Sequence, residues 1–437
     1  MKRHHIALAT ALAVLALCVA GCGKRASRRA ELPPSADRHR PAGDEPAPVG
    51  ELASLGSQAL AVPFSAPASP KAAEAQGGER AADIASDMLY HPRFATGFEI
   101  LKAGRGSSIL VIKNPWQGAV GVDMRIFLSE NGEKPPAGFQ GVAVSVPLRR
   151  VVCMSSSHIA FLEALGQGDI IKGVSGARFI HSENIAAGIA VGRIKDVGYD
   201  NSINFEMLAA LQPDLVMVYG VAGQSDIATA KAAAMGIRTA YIGDYLETDP
   251  LGKAEWLVAF GQLTGQRAQA ETQFAAICER YEKARALASA AAQRPKVMLN
   301  SPWRDVWFVP GGGSYMAALI RDAGGVYVCA DAANTNDSRP LAAEAAYIYA
   351  KNSDFWLNPG SATTLSELLS ENPRFASIPP VRSGRVWNNN LRLTAGGGSD
   401  FWESGAVMPD RILLDLIHIL HPELLPDYQP YYYRQLK

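Results

Sequence analysis

The residues best placed to do chemistry in this chain are rings, arginines and small hydroxyls that follow apolar runs. Ser155, Ser156 and His158 come directly after the run 151–154, and Arg178 follows the run 170–174. Tyr199, Tyr219 and Tyr245 take similar places, Tyr219 directly after the run 215–218. In the second half Trp303, Arg304 and Trp307 follow the run 296–299, while Asn358 and Asn388 sit at later run ends. Arg392 lies in a glycine-rich loop that leads to Trp402. Aromatic faces suit a large planar or ring-shaped ligand. Arginine forks suit carboxylates or a catecholate charge. No nucleophile stands beside a matching base, so the set reads as a binding surface and not a catalytic one.

Other chemistries are disfavoured by spacing. His91, His158, His181, His418 and His421 are scattered, and Pro422 ends the last helix where His418 and His421 approach each other. There is no His-Glu-x-x-His pattern, so any metal is expected to arrive chelated, not naked. Gly311-Gly312-Gly313 and Gly396-Gly397-Gly398 lack the lysine and spacing of a phosphate loop and read as places of close backbone approach. The 42 basic and 42 acidic residues cancel, which argues against nucleic acid as a partner. Cys153, Cys278 and Cys329 are widely spaced and odd in number, which suits buried small hydrophobes better than a disulfide framework.

The elements that must position these residues follow from composition and period. A chain of 437 residues, 48% of them hydrophobic, has room for two or three domains. Lys2 and Arg3 precede an apolar run at 6–20 that is too short to span a bilayer, so residues 1–21 read as a secretory signal. Val19-Ala20-Gly21-Cys22 resembles a bacterial lipobox, which implies lipid on Cys22 and a membrane anchor on the extracytoplasmic face. Residues 22–87 are rich in Ala, Pro, Ser, Gly and charge and read as a disordered tether. Short strands are expected from Met88, followed by alternating strands and helices that predict an open α/β layer. Residues 266–292 contain no Gly or Pro and predict a helix about 40 Å long, with Ala270, Phe274, Ile277, Tyr281 and Ala284 on one helical stripe. The α/β pattern then restarts. The expectation is an N-terminal lobe at 88–250, connecting helices at 251–293 and a C-terminal lobe at 294–437. The fold class is α/β, two Rossmann-like lobes joined by a single long helix.

The stretch Asn204-Phe205-Glu206-Met207-Leu208-Ala209-Ala210-Leu211-Gln212-Pro213-Asp214-Leu215-Val216 resembles class III periplasmic binding proteins, the substrate-binding components of ABC importers for iron–siderophore, haem and cobalamin. A looser echo runs from Leu341-Ala342-Ala343-Glu344 to Ser353-Asp354-Phe355-Trp356-Leu357, with Ser-Asp where Pro-Asp is the pattern. The preamble before residue 148 is longer than in the simplest members. The resemblance implies a monomer that binds a metal chelate in a cleft and delivers it to an ABC permease dimer. It also implies that Glu206 and Glu344 dock onto that dimer, one from each lobe. The ligand-binding set is Ser155, His158, Arg178, Tyr199, Tyr219, Tyr245, Trp303, Arg392 and Trp402. An iron–siderophore is slightly favoured over haem or cobalamin because arginines accompany the rings. The alternative of another class is a chelatase or cofactor-processing enzyme on the same scaffold. Beyond lipid on Cys22, no covalently bound cofactor is expected.

Overall fold

The computed structural model describes residues 88–437 apart from 200–201, 221–224, 303–305, 331–335, 337 and 372. The signal, Cys22 and the tether lie outside the described residues, as do Trp303 and Arg304. Among the described residues, no helix is long and apolar enough to cross a membrane.

The first strands, expected to lead into a lobe, build a sheet of their own. They are β1 (Met88–Tyr90), β2 (Phe98–Lys102), β3 (Ser108–Lys113), β4 (Asp123–Ser129) and β5 (Val142–Ser145), paired in chain order. All pairs are antiparallel except β4 with β5. Period-two alternation sends Ile100, Leu110, Ile112 and Ile126 into the main core. Ile109, Val111 and Phe127 point the other way and are covered by Phe139.

Two buried carboxylates fasten this sheet to the rest. Glu255, with no exposed surface, accepts from the Tyr90 hydroxyl at 2.7 Å and from the backbone N–H groups of Arg93, Phe94 and Ala95 at 2.8, 2.7 and 2.7 Å. Glu247 takes the next N–H groups, Thr96 at 3.0 Å and Gly97 at 2.8 Å, and the Trp256 indole N–H at 3.0 Å. Burial raises the Glu247 pKa, and these donors hold it part-way down.

The first lobe holds β6 (Val151–Cys153), β7 (Ile171–Val174), β8 (Lys195–Asp196), β9 (Leu215–Val218) and β10 (Thr239–Tyr241) in the order β10-β9-β6-β7-β8, all parallel. The second holds β11 (Lys296–Leu299), β12 (Val306–Val309), β13 (Val326–Tyr327), β14 (Arg339–Ala342), β15 (Phe355–Leu357), β16 (Val386–Asn388) and β17 (Arg434–Gln435). Its main sheet runs β13-β11-β15-β16-β17 with only β17 antiparallel, while β12 and β14 pair separately. Helices cover both faces of such sheets, which is why β6 and β15 are apolar throughout.

The two echoing motifs do one structural job. Asn204 caps the helix Phe205–Leu211 by accepting from Met207 N–H, and Gln212 ends it with φ 46°. Asp214 then clips the chain entering β6, accepting from the N–H groups of Arg149 and Arg150 at 2.8 and 2.9 Å. In the second lobe Asp354 accepts from Lys296 N–H at 2.8 Å, at the start of β11. Ser-Asp therefore serves where Pro-Asp was the pattern, because the aspartate and not the proline makes the clip.

The expected long helix spans Arg267–Ser289, with Ala270, Phe274, Ile277, Tyr281 and Ala284 buried along one stripe. Its 23 residues give about 34 Å. The helix Pro250–Leu263 lies against it, capped by Asp249, and Gly261 permits the contact because a Cβ there would stand 2.5 Å from Ala270 Cβ. One continuous apolar core runs through both lobes and these helices.

Candidate functional site

In an open parallel sheet a ligand crevice forms beyond the carboxyl ends of the strands, where the chain order reverses. The reversal lies between β6 and β9 in the first lobe and between β11 and β15 in the second. Ser155 follows β6, half-buried, with its hydroxyl 2.9 Å from that of Ser157. Tyr219 and Gly220 follow β9. Tyr245 lies on the short turn Asp244–Leu246 after β10, its ring 6.3 Å from that of Tyr219. The Tyr245 hydroxyl donates to Gly220 O and accepts from Gln117 N–H, and burial raises its pKa. Across the reversal in the second lobe, Asn300 and Asn358 turn the chain with φ 62° and 56°. Trp303, expected beside them, lies outside the described residues.

The carboxyl-end loops of the two sheets meet on one side. Thr394 Oγ1 donates to Arg178 O at 2.8 Å, and Glu403 accepts from the N–H groups of His181 and Ser182 at 2.8 and 2.7 Å. A Cβ on Gly396 would lie 2.4 Å from Arg178 O, so this glycine loop is indeed a place of close backbone approach. Arg178 is exposed and stacks over Phe179 at 4.5 Å, and Phe179 meets Tyr199 at 5.4 Å. Burial pushes the Glu403 carboxyl up to about 7 against the pull of its two N–H donors. Arg392 pairs with Asp400 at 2.7 Å and lies over Tyr431 at 4.4 Å, while the half-buried Trp402 packs edge-on to Phe401. A cavity of about 580 Å³ opens beside this seam, lined by His181, Glu403, Arg392, Tyr431 and, from the long helix, Gln273 and Arg280.

A family model described as periplasmic binding protein matches residues 151–388, more than half of the 437 residues. The chain belongs to the periplasmic binding protein family. An uncharacterised lipoprotein of Methanocaldococcus jannaschii is 30% identical over 290 residues, 64% of this chain and 67% of that one. Among solved structures, a periplasmic haem-binding protein of Pseudomonas aeruginosa is 19% identical with TM-score 0.50, covering 66% of this chain and 98% of its own. A possible iron-binding periplasmic solute-binding protein of Staphylococcus epidermidis is 17% identical with TM-score 0.50, covering 63% of this chain and 99% of its own. At such identities the likeness shows the two-lobed α/β fold. Membership of this family puts the protein's place of work outside the cytoplasm.

Some residues chosen from sequence for the cleft of this periplasmic binding protein lie in its core instead. Trp307 belongs to the core: it is fully buried in β12, donates to Leu299 O at 3.0 Å and packs on Trp356 and Phe375. Asn388 is also buried, its amide donating to Gly360 O and Ala362 O at 2.8 Å each. Glu206 is exposed in the first turn of its helix, and Glu344 is exposed with Arg374 3.6 Å away. Among the described residues no group of three or more metal-ligating side chains gathers. Sequence reading missed Glu403, because its partners are backbone groups more than two hundred residues away.

His158, chosen from sequence for the cleft, belongs to the core: it has no exposed surface, and the Met217 backbone beside its ring makes no well-formed hydrogen bond to either nitrogen. Asp244 Oδ1 is 3.7 Å from its Nε2, beyond hydrogen-bond range, and Lys253 Nζ is 4.0 Å from the other carboxylate oxygen. Desolvation dominates and lowers the His158 pKa to about 4, with Asp244 opposing. In the unfolded chain the imidazole titrates near its ordinary value of about 6.5. Below that pH the unfolded state takes up a proton that the folded state refuses until about pH 4, so stability falls as pH drops through this window. Urea unfolding should show His158 contributing a loss of about 2 kcal/mol between pH 7.5 and pH 5. His158→Leu should remove that loss; an unchanged pH dependence would contradict the burial.

Proposed function

We propose that this periplasmic binding protein captures one bulky metal chelate between its lobes and hands it to the permease dimer of an ABC importer. The observation that carries this reading is the pairing of two parallel sheets whose carboxyl-end loops meet. Thr394 and Glu403, beyond the second sheet, bond to Arg178, His181 and Ser182, beyond the first. Tyr219 and Tyr245 furnish ring faces beside the first reversal, and a ring-rich cleft suits a planar or ring-bearing chelate. An iron–siderophore is the favoured ligand, and haem and cobalamin are the neighbouring choices. The solved neighbours named for haem and for iron binding fall in the same ligand class.

Anchoring through Cys22 fits delivery at a membrane, and the Methanocaldococcus relative is itself named as a lipoprotein. Each buried lipid methylene adds about 0.8 kcal/mol, so two or more chains hold firmly. Cys22→Ser should move the protein from the membrane fraction to the soluble one with its melting curve unchanged. Retention in the detergent phase would remove the lipid from the account.

Ligand capture is tested at Tyr219. Haemin, cyanocobalamin and a ferric tris-catecholate are titrated into the parent protein and into Tyr219→Ala. The probe that binds the parent should bind the variant roughly thirtyfold more weakly, about 2 kcal/mol, as for a desolvated aromatic anchor. Equal affinity would take Tyr219 out of the cleft.

A further inference from the structure

The amino-terminal sheet sends one loop to the carboxyl ends of the first lobe's strands. The turn between β3 and β4, residues 114–122, lies outside the stretch matched by the family model. Its ends are tied in both directions: Asn114 N–H donates to Val122 O at 2.7 Å, and Val122 N–H donates to Asn114 Oδ1 at 3.3 Å. Inside, Ala119 N–H closes a turn on Trp116 O at 3.0 Å. Asn114, Gly118 and Gly121 take positive φ values of 45°, 85° and 68°, which let nine residues close so tightly.

Where the loop lands is the informative part. Gln117 N–H reaches both Gly220 O at 3.1 Å and the Tyr245 hydroxyl at 3.2 Å. Trp116 packs on the Tyr241 ring at 5.2 Å. It also fills the place a side chain at Gly220 would need, since a Cβ there would lie 2.5 Å from Trp116 Cβ. Gly220 follows β9, which borders the strand-order reversal, and Tyr245 follows β10. The loop is thus seated on the two strand ends that carry Tyr219 and Tyr245. It presents Val120 at its tip, 88% exposed.

We infer that this loop is a third wall of the ligand cleft, supplied by neither lobe, and that Trp116 and Val120 help select a ligand with an apolar or aromatic flank. The inference rests on the chelate-binding reading above. A tied loop costs little ordering entropy on binding, so an apolar contact made by its tip is retained as affinity. A loop that merely braced the sheet edge would have no reason to reach past β10 to Gly220.

The test uses the full mature chain with haemin, cyanocobalamin and a ferric tris-catecholate as probes, in the parent, Val120→Asp and Trp116→Ala. Val120→Asp alters a solvent-exposed side chain, so its melting curve should match the parent's. Its dissociation constant for the bound probe should rise at least tenfold, with a changed ranking among the three probes. Saturating probe should also slow amide hydrogen exchange in the parent's 114–122 segment. If the parent binds a probe while both variants stay within twofold and exchange in that segment is unaltered, the loop is no wall. If the parent binds none of the three, the chelate-binding reading itself fails and takes this inference with it.

Discussion

Glu255→Ala should cost the protein on the order of 4–5 kcal/mol of stability, the largest loss expected of any single substitution among the contacts that fasten the amino-terminal sheet to the rest. The carboxylate has no exposed surface and takes four donors, the Tyr90 hydroxyl and three successive backbone N–H groups. Removing it leaves those donors, of which only the Ala95 bond is fully buried, without their shared acceptor, and each buried donor without a partner costs about 1–3 kcal/mol, not fully additively. Glu255→Gln keeps the shape and one acceptor oxygen but turns an NH₂ toward the donors, so it should lose about half as much. Glu279→Ala, on the exposed side of the long helix, should stay within about 0.5 kcal/mol. Denaturant unfolding of the three variants measures this directly. A Glu255→Ala midpoint equal to the parent's would mean that the 93–95 segment is held by something else.

The second large effect is functional. Reversing Glu206 and Glu344 together to Arg should abolish ligand uptake by cells while the dissociation constant of the bound probe stays within twofold. Both carboxylates are exposed at the start of helices, where the helix dipole favours negative charge. Each helix runs directly into the aspartate clip of its own lobe, Asp214 or Asp354, so the two occupy equivalent places in the pseudo-symmetric halves. Equivalent charges on two lobes fit a two-fold partner and would set both register and orientation. Arg374 at 3.6 Å from Glu344 is a solvent-exposed pair of small worth and would not prevent docking. Each single reversal should leave partial uptake. Normal uptake by the double variant at normal protein levels would remove the docking role. A collapse of probe affinity would move the two carboxylates into the cleft.

What the sequence made legible and what it hid differ for physical reasons. The long helix could be read because its buried stripe repeats at the helical period, and Ala270 to Ala284 are buried as that period requires. Parallel lobes could be read from strands such as β9, apolar because both faces are covered. The separate amino-terminal sheet was harder. Its strands are three to seven residues long, and their pairing, including the parallel β4–β5 step, is set by packing and not by local pattern. Glu247 and Glu255 gave no sequence signal, because the backbone groups they bind lie about 150 residues away and every residue carries the same N–H. Trp307 was misread for a related reason. The stretch after β11 looks like a loop at a strand end, yet Val306–Val309 pairs with Arg339–Ala342 and turns that ring inward. Tyr219 and Tyr245 were chosen by one rule about strand ends, and the structure sets their rings 6.3 Å apart.

The protein is expected to bind one bulky chelate and to release it unchanged. Native mass spectrometry of the protein purified from cells, and then incubated with haemin, cyanocobalamin or a ferric tris-catecholate, tests it most directly. The account predicts a single added mass per chain for one of these ligands, released intact on denaturation after prolonged incubation. A chain that stays at its apo mass with all three, or a ligand recovered with its metal removed or its ring altered, would contradict it.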